Sequence, residues 1–496
     1  MSQGTANQQR EIELKLEVEP RAAASVGDSL GLGEGQAIRL LATYYDTPEG
    51  SLRKSGISFR VRRNGDAFVQ TIKVARGAAS GLFDREEWET PLADAQPALS
   101  AIDEAGLRDA LGDPNEWDAL GPVFTVDVER TVWRASLENG SAEVVFDLGR
   151  VLADGAEDTV AELEIELTDG PPDLLFGLAQ RVADMVPVRL GVLTKSERGY
   201  RLLDGKMDRP VKAEPLRLPP DASTAEAFAT IVQACLRHFR LNEPLVMRRD
   251  ADALHQARVA LRRLRSAFSL FRGVVADERF EDLSNAVRRQ TGLLGDARNL
   301  DILLHRLGSA PEAGPAYRQL RREREAAYDR VLEELDSDRA RRLPLDLLEW
   351  AEIGAWRSSP KPDATLPARE FAGQVLDRYR RRVTKRGKGL KHLDPEKRHE
   401  VRIEAKKLRY ASEFFTSLFN GKKQTRRAKT FLAALEDLQT ALGELNDIAT
   451  GEALTRELSA KGIDLPVAAG GKGERKLLRE ADAAYDRLVD AKRFWR

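Results

Sequence analysis

Two short stretches place carboxylates where they could do chemistry. Glu11-Ile12-Glu13-Leu14-Lys15-Leu16-Glu17-Val18 and Ala161-Glu162-Leu163-Glu164-Ile165-Glu166-Leu167 alternate charged and aliphatic residues with period two. As β-strands they put every charge on one face and every aliphatic on the other. Between them, Arg60 with Arg62, Thr71 with Lys73, Arg85 with Glu87 and Glu89, and Glu143 with Asp147 fall at same-face positions of further strand-like stretches, joined by Arg130 and, later, Lys195. Carboxylate oxygens suit hard divalent cations, and guanidinium and ammonium groups suit phosphate oxygens. Any one stretch could be a half-exposed strand whose polar side meets water. A solvent face, however, mixes Ser, Thr, Gln, Lys and Glu, whereas strand after strand here repeats a few charges at adjacent same-face positions.

The elements that must position these charges form an antiparallel series. A helix-like stretch, Arg21 to Leu30, precedes a strand from Ile38 to Tyr45 and a turn at Asp46-Thr47-Pro48-Glu49-Gly50. Strands at 57–62 and 69–74 flank the hairpin signal Asn64-Gly65. A Gly77 to Gly81 loop, a helical interval near 98–111, and strands at 123–135 and 141–148 follow. Closing such a sheet into a barrel would gather the charged faces in a channel. An empty channel with that charge density would be costly, and a polyanion with divalent cations would offset both signs. The first half has no histidine, which excludes a His–zinc site there, and no Walker-type glycine loop, cysteine nucleophile or Ser-His-Asp set.

Charge divides the chain. Residues 1–210 hold 23 Lys and Arg against 37 Asp and Glu, net −14, leaving +13 for residues 211–496. An acidic half suits metal ions and a basic half suits a polyanion, although the two halves could instead use the difference to dock on each other. The 496 residues are enough for two or three domains. No apolar run reaches the ~20 residues that span a bilayer, and the single cysteine, Cys235, leaves no intramolecular disulfide, so a reducing cytoplasm is expected.

Pro210, Pro215, Pro219 and Pro220 mark residues 206–220 as a stiff connector. Beyond it the pattern is helical, with breaks near Pro311–Pro315 and Pro360–Pro367. A motif repeats: His255, Arg258, Arg262, Arg263 and Arg265 align with His399, Arg402, Lys406, Lys407 and Arg409. The spacing of three, four and three residues stacks cations along one helix face, which is unfavourable by a few tenths of a kcal/mol per pair unless a polyanion binds. A second echo, Leu294-Gly295-Asp296-Ala297-Arg298 and Leu442-Gly443-Glu444-Leu445-Asn446, follows each copy. With one histidine per copy, phosphate contact or packing is favoured over metal ligation, and the scarcity of interleaved aromatics disfavours nucleic acid.

The ordered set Glu11-x-Glu13-x-Lys15, Arg60-x-Arg62, Lys73, Arg130, Asp147, Glu162-x-Glu164-x-Glu166 and Lys195 resembles the CYTH family, the triphosphate tunnel metalloenzymes. The resemblance implies an α+β chain whose residues 1–205 form an eight-stranded antiparallel tunnel with flanking helices, hydrolysing triphosphate compounds with Mg²⁺ or Mn²⁺. It implies catalytic Glu11, Glu13 and Lys15. Substrate would bind to Lys15, Arg60, Arg62, Lys73, Arg85, Arg130 and Lys195. Metal would bind among Glu11, Glu13, Asp147, Glu162, Glu164 and Glu166, with the direct ligands among the last three left open. Residues 221–496 resemble the CHAD family, implying two all-α bundle repeats, about 221–355 and 366–496. Their polyphosphate-binding face would hold His255, Arg258, Arg262, Arg265, Arg298, His399, Arg402, Lys406 and Arg409. The combination resembles bacterial inorganic triphosphatases. A class IV adenylyl cyclase and a non-catalytic polyphosphate-binding protein are the alternatives, and the oligomeric state is open.

Overall fold

The computed structural model describes residues 7–75, 80–98, 119–307, 315–460 and 471–496. The helical interval expected near 98–111 falls outside these residues beyond Ala98, as do most of the 77–81 loop and Pro311. Two compact units emerge, Met1–Pro210 with Ser337–Glu349, and Val211–Asp336 with Trp350–Arg496.

In the first unit, β1 (Asn7–Val18), β2 (Gln36–Asp46), β3 (Ile57–Asn64), β4 (Ala67–Ala75), β5 (Leu82–Leu92), β6 (Gly121–Leu137), β7 (Gly140–Ala153) and β8 (Ala156–Asp169) form one antiparallel sheet. Pairing of β1 with both β5 and β8 closes it into the eight-stranded barrel, and β9 (Val188–Leu190) adds to the end of β1. Alternation along each strand decides what faces where. Leu14, Leu16, Val144, Phe146, Leu163 and Ile165 are fully buried on the outer face, where α3 (Asp173–Met185) packs against β1, β7 and β8. Each such aliphatic or aromatic side chain contributes about 1.5–3 kcal/mol by leaving water. Hairpins turn where glycine permits it: Gly65, at φ +61°, sits in the two-residue turn between Asn64 and Ala67.

The inner face differs from a uniformly charged lumen. Leu40, Ala42, Tyr44, Phe124, Val126, Val128, Val151, Ala153 and Val160 share their strands' inward parity and form an apolar cluster with Tyr200. Tyr200 belongs to α4 (Lys195–Leu203), which starts on a capping box of Thr194 and Glu197. Its hydroxyl donates to Asp46 at 2.7 Å. Asp46 also accepts the backbone N–H groups of Thr47 and Leu52, at the start of α2 (Ser51–Lys54). The short helix α1 (Ala23–Leu30) lies against α3. The interior is therefore apolar over one stretch and charged over the rest, and α4 spans the join.

In the second unit, α5 (Thr224–Val246), α6 (Ala251–Val275), α7 (Phe280–Leu307) and α8 (Pro315–Asp336) pack in sequence. After α9 (Asp338–Ile353) and α10 (Ala355–Ser358), a second set follows: α11 (Ala368–Arg386), α12 (Pro395–Phe415), α13 (Lys422–Ala460) and α14 (Gly471–Asp490). The two sets meet through α6 with α12 and α5 with α11. Phe228, Phe268, Phe271, Trp350 and Trp356 make an aromatic core. Residues 337–349 group with the barrel unit, where Gln180 donates to Asp346 and Glu349 at 2.9 Å each. The segment 206–220 has no regular structure, and its second part is fastened to the helices. Val211 C=O accepts from Asn242, and Leu218 N–H donates to Ser417. No helix among the described residues is long and apolar enough to cross a membrane.

Candidate active site and basic helical face

Register brings the charged positions together. In the β1–β8 ladder Glu13 faces Glu166 and Lys15 faces Glu164; Arg130 faces Asp147 across β6–β7, and Asp147 faces Glu162 across β7–β8. Glu11 faces Arg85 and Lys73 faces Glu87. A cavity of about 490 Å³ is lined by Glu11, Glu13, Lys15, Arg60, Arg62, Lys73, Arg85, Arg130, Glu164, Glu166 and Lys195. Asp147 and Glu162, buried behind Lys195 and Lys15, complete the set.

The charges form two subsets. In the first, Lys15 Nζ reaches Glu162 at 3.0 Å and Glu164 at 2.5 Å. Lys195 Nζ reaches Asp147 at 2.6 Å and Glu164 at 2.9 Å and also contacts Glu162. Arg130 forks onto Asp147 at 2.8 and 2.7 Å. In the second, Lys73 bridges Glu11 at 2.6 Å and Glu87 at 3.2 Å, and Arg85 contacts Glu11 at 3.0 Å and Glu13. Gly191 makes room for this arrangement, since a Cβ there would stand 2.8 Å from Lys15 Cγ.

Burial and neighbours move these groups in opposite directions. Burial opposes the charge on Glu164, but Lys15, Lys195 and Arg130 outweigh it and hold the carboxyl well below its ordinary range. Burial opposes Asp147 as well, and Lys195 and Arg130 again win. Glu166 has no cation at ion-pair distance among the described residues; burial, then Glu11 and Glu13, push it up to about 8. Arg60, which lines the cavity, also lacks a carboxylate partner at that distance, while Arg62 reaches Glu89 at 3.2 Å.

The donor set fits a hard cation. One oxygen from each of Asp147, Glu162 and Glu164 lies within 4.8 Å of the others, and Glu162 Oε2 is buried without a hydrogen bond. All three ligands are oxygen, the type Mg²⁺ and Mn²⁺ take. Thr71, Glu87 and Glu89, placed on the charged faces from sequence but given no role there, also line the cavity, as does Tyr44, which the sequence reading did not name for the site. Parity with Arg85 was the available signal for Glu87 and Glu89, whereas nothing in the pattern of β2 marks Tyr44.

On the helices, the two motif copies sit on α6 and α12, which pack together. Burial and then Arg402, Arg262, Arg258 and Arg409 push the Lys406 amine down to about 7. Burial and then Arg298, Arg262 and Arg258 push His255 down to about 4. Seven of the nine expected residues therefore bear on one another. Arg265 instead neighbours Arg288 of α7, and His399 is exposed and donates from Nδ1 to Asn446 Oδ1 at 2.8 Å.

Comparison with known proteins divides the chain at the same place. Residues 9–200 match the CYTH domain and residues 230–456 the CHAD domain. An inorganic triphosphatase of Haemophilus influenzae is 30% identical over 196 residues, a match covering 39% of this chain and 55% of that relative, so the chain spans about half the length of that relative. An uncharacterized protein of Mycobacterium tuberculosis is 28% identical over 441 residues, 80% of each chain. Among solved structures, the CHAD domain from the plant Ricinus communis is 28% identical, covering 57% of this chain and 93% of its own, with a TM-score of 0.45.

Proposed function

From a chain that carries a CYTH domain followed by a CHAD domain, we propose a metal-dependent inorganic triphosphatase of the cytoplasm whose helical half binds polyphosphate. The observation that carries this reading is the convergence of eight cations and seven carboxylates, from separate strands and from α4, on one cavity of about 490 Å³. The similarity of residues 9–200 to an inorganic triphosphatase supports it.

Asp147, Glu162 and Glu164 would hold one divalent ion, and Glu11, Glu13 and Glu166 offer a second oxygen set. Such an ion supplies charge neutralisation at the phosphoryl oxygens. The remaining work falls to the chain. Arg60, which has no carboxylate at ion-pair distance among the described residues, binds the phosphate chain, and Arg62, Lys15, Lys73, Arg85 and Arg130 exchange carboxylate partners for phosphate oxygens as it enters. Positioning and stabilisation of charge carry most of the barrier reduction in phosphoryl transfer. Water attacking the terminal phosphorus needs a proton acceptor poised near neutrality. Glu166, the carboxylate of the second set with no cation at ion-pair distance among the described residues, would accept that proton where it is not itself engaged by an ion. The apolar cluster around Tyr44, Phe124 and Tyr200 keeps bulk water from that end of the interior.

The test is orthophosphate release from tripolyphosphate with Mg²⁺ or Mn²⁺, run beside long-chain polyphosphate, ATP and thiamine triphosphate. Release that disappears in Glu11→Ala and Glu13→Ala, with the fold retained by circular dichroism, is the expected result. Cyclic AMP as the main product from ATP would replace hydrolysis with cyclisation. Equal turnover in both variants and the parent would remove the assignment of these carboxylates.

A further inference from the structure

One lysine sits in the middle of the candidate metal ligands. Lys195 Nζ lies 2.6 Å from Asp147 and 2.9 Å from Glu164, and it also contacts Glu162. These are the three carboxylates whose oxygens lie within 4.8 Å of one another. Lys15 shares two of them, Glu162 at 3.0 Å and Glu164 at 2.5 Å, and Arg130 takes Asp147 and Glu164. Among the described residues only Lys195 reaches all three. An ammonium held by the same oxygens that would hold a divalent ion competes with it for space, and the two charges repel.

Two further observations show which of them gives way, and how. Glu162 is 1% exposed and its Oε2 has no hydrogen-bond partner, so Lys195 and Lys15 together leave part of the set unused. The helix that carries Lys195 is fastened along its length. Its first turn is closed by the capping box of Thr194 and Glu197, Arg198 donates to Asp158 at 2.9 Å, and Tyr200 donates to Asp46 at 2.7 Å. A Cβ at Gly199 would collide with the Phe124 ring, so α4 lies directly on β6. The Lys195 side chain, by contrast, lines the cavity with Thr194 and Ser196. A lysine is a compact charge on a flexible four-carbon stem. Rotation of that stem takes the ammonium off the carboxylates and into the chamber while the helix stays in place. A divalent ion on the carboxylates and Lys195 free in the chamber together make the chamber more positive, which favours an anion.

We propose that Lys195 is an exchangeable cation: it competes with a divalent ion for Asp147, Glu162 and Glu164, and once displaced it swings into the cavity and binds the phosphate chain. This role rests on the metal-dependent reading above. It adds that metal and phosphate bind cooperatively, because Lys195 leaves the carboxylates for the one and reaches the other. A lysine that only braces the barrel would keep its carboxylates whatever binds.

Binding of Mn²⁺ to the full chain without any phosphate, read from the electron paramagnetic resonance signal of the free ion, tests the competition. Lys195→Met should bind Mn²⁺ about tenfold more tightly than the parent, having lost the competitor. Lys195→Arg, which keeps a charge there, should bind no more tightly than the parent, and Glu162→Gln should bind more weakly, which locates the ion on this set. Brief acetylation of the parent, read by peptide mass spectrometry, follows the side chain itself and does not depend on any variant folding. Modification of Lys195 should rise severalfold with Mn²⁺ and fall again when pyrophosphate is added over excess Mn²⁺. Equal Mn²⁺ affinity in folded Lys195→Met and the parent, undiminished affinity in Glu162→Gln, or acetylation of Lys195 that Mn²⁺ leaves unchanged overturns the exchange while metal binding stands. Mn²⁺ bound by neither the parent nor Lys195→Met would instead sink the metal-dependent reading, and the exchange with it.

Discussion

The two halves of the molecule hold their charge in opposite ways. In the barrel, buried cations touch buried carboxylates, so Lys15, Lys195, Arg130 and Arg85 all keep or gain proton affinity. On the helices, cations gather with cations, and burial with like neighbours drives Lys406, Arg258 and His255 down. A network of both signs neutralises itself and keeps its shape without a ligand. It yields only to a ligand that brings both signs, as a metal–triphosphate pair does. A field of one sign opposes the fold that carries it, and a polyanion alone relieves it.

The largest expected effect separates the halves by the sign of a single deletion. Asp147 is fully buried and takes Arg130 and Lys195. Asp147→Ala would take one buried carboxylate from two buried cations, leaving Arg130 on Glu164 and Lys195 on Glu162 and Glu164, and destabilise the barrel by about 3 kcal/mol. Lys406→Met removes one of five clustered cations and should leave the helical unit's stability equal or raise it. Urea unfolding of both variants decides. If Lys406→Met costs as much as Asp147→Ala, the contrast between a self-neutral and a strained network is wrong.

Much of this contrast was legible in the sequence. Period two over Glu11–Val18 and Ala161–Leu167 gave the faces, and the spacing of His255, Arg258, Arg262 and Arg265 gave the stripe, because both depend only on local geometry. The family comparison and the closed eight-stranded barrel agree with the family resemblance and the fold expected from sequence. The partition of the barrel interior was hidden, since Val126 and Val128 share parity with Arg130 and alternation cannot distinguish two ends of one face. Lys195 was named by position, but its element, α4 with a capping box, went unread. The Arg265–Arg288 pair depends on how α6 meets α7, a tertiary fact that no repeat encodes.

A second test uses pH inside the barrel. Glu166 is raised from an ordinary 4.5 to about 8, so the folded state holds a proton that the unfolded chain gives up earlier. Its contribution to stability is complete below the unfolded value and is lost as pH rises through about 8. Glu166→Gln removes that dependence. Unfolding free energies in a chelator should fall for the parent relative to Glu166→Gln between about pH 5 and about pH 9, by about 4 kcal/mol in total. Parallel curves would mean that Glu166 is ionised throughout, and that the second carboxylate subset is as well neutralised as the first.

The smallest effect probes the helical field directly. With Lys406 near 7 beside Arg402, Arg262, Arg258 and Arg409, the amine is charged below that pH and increasingly neutral above it. A bound polyanion screens the arginines and favours the protonated amine, so binding takes up a proton. Affinity for long-chain polyphosphate should therefore fall by up to about tenfold as pH rises from about 7 to about 8.5. His255, titrating near 4, contributes nothing in that window. Lys406→Arg keeps the charge at every pH and should flatten the profile while retaining tight binding. Calorimetry in two buffers of different ionisation enthalpy measures the proton directly. No uptake by the parent, or the same slope in Lys406→Arg, would show that polyphosphate binds without entering the cation cluster.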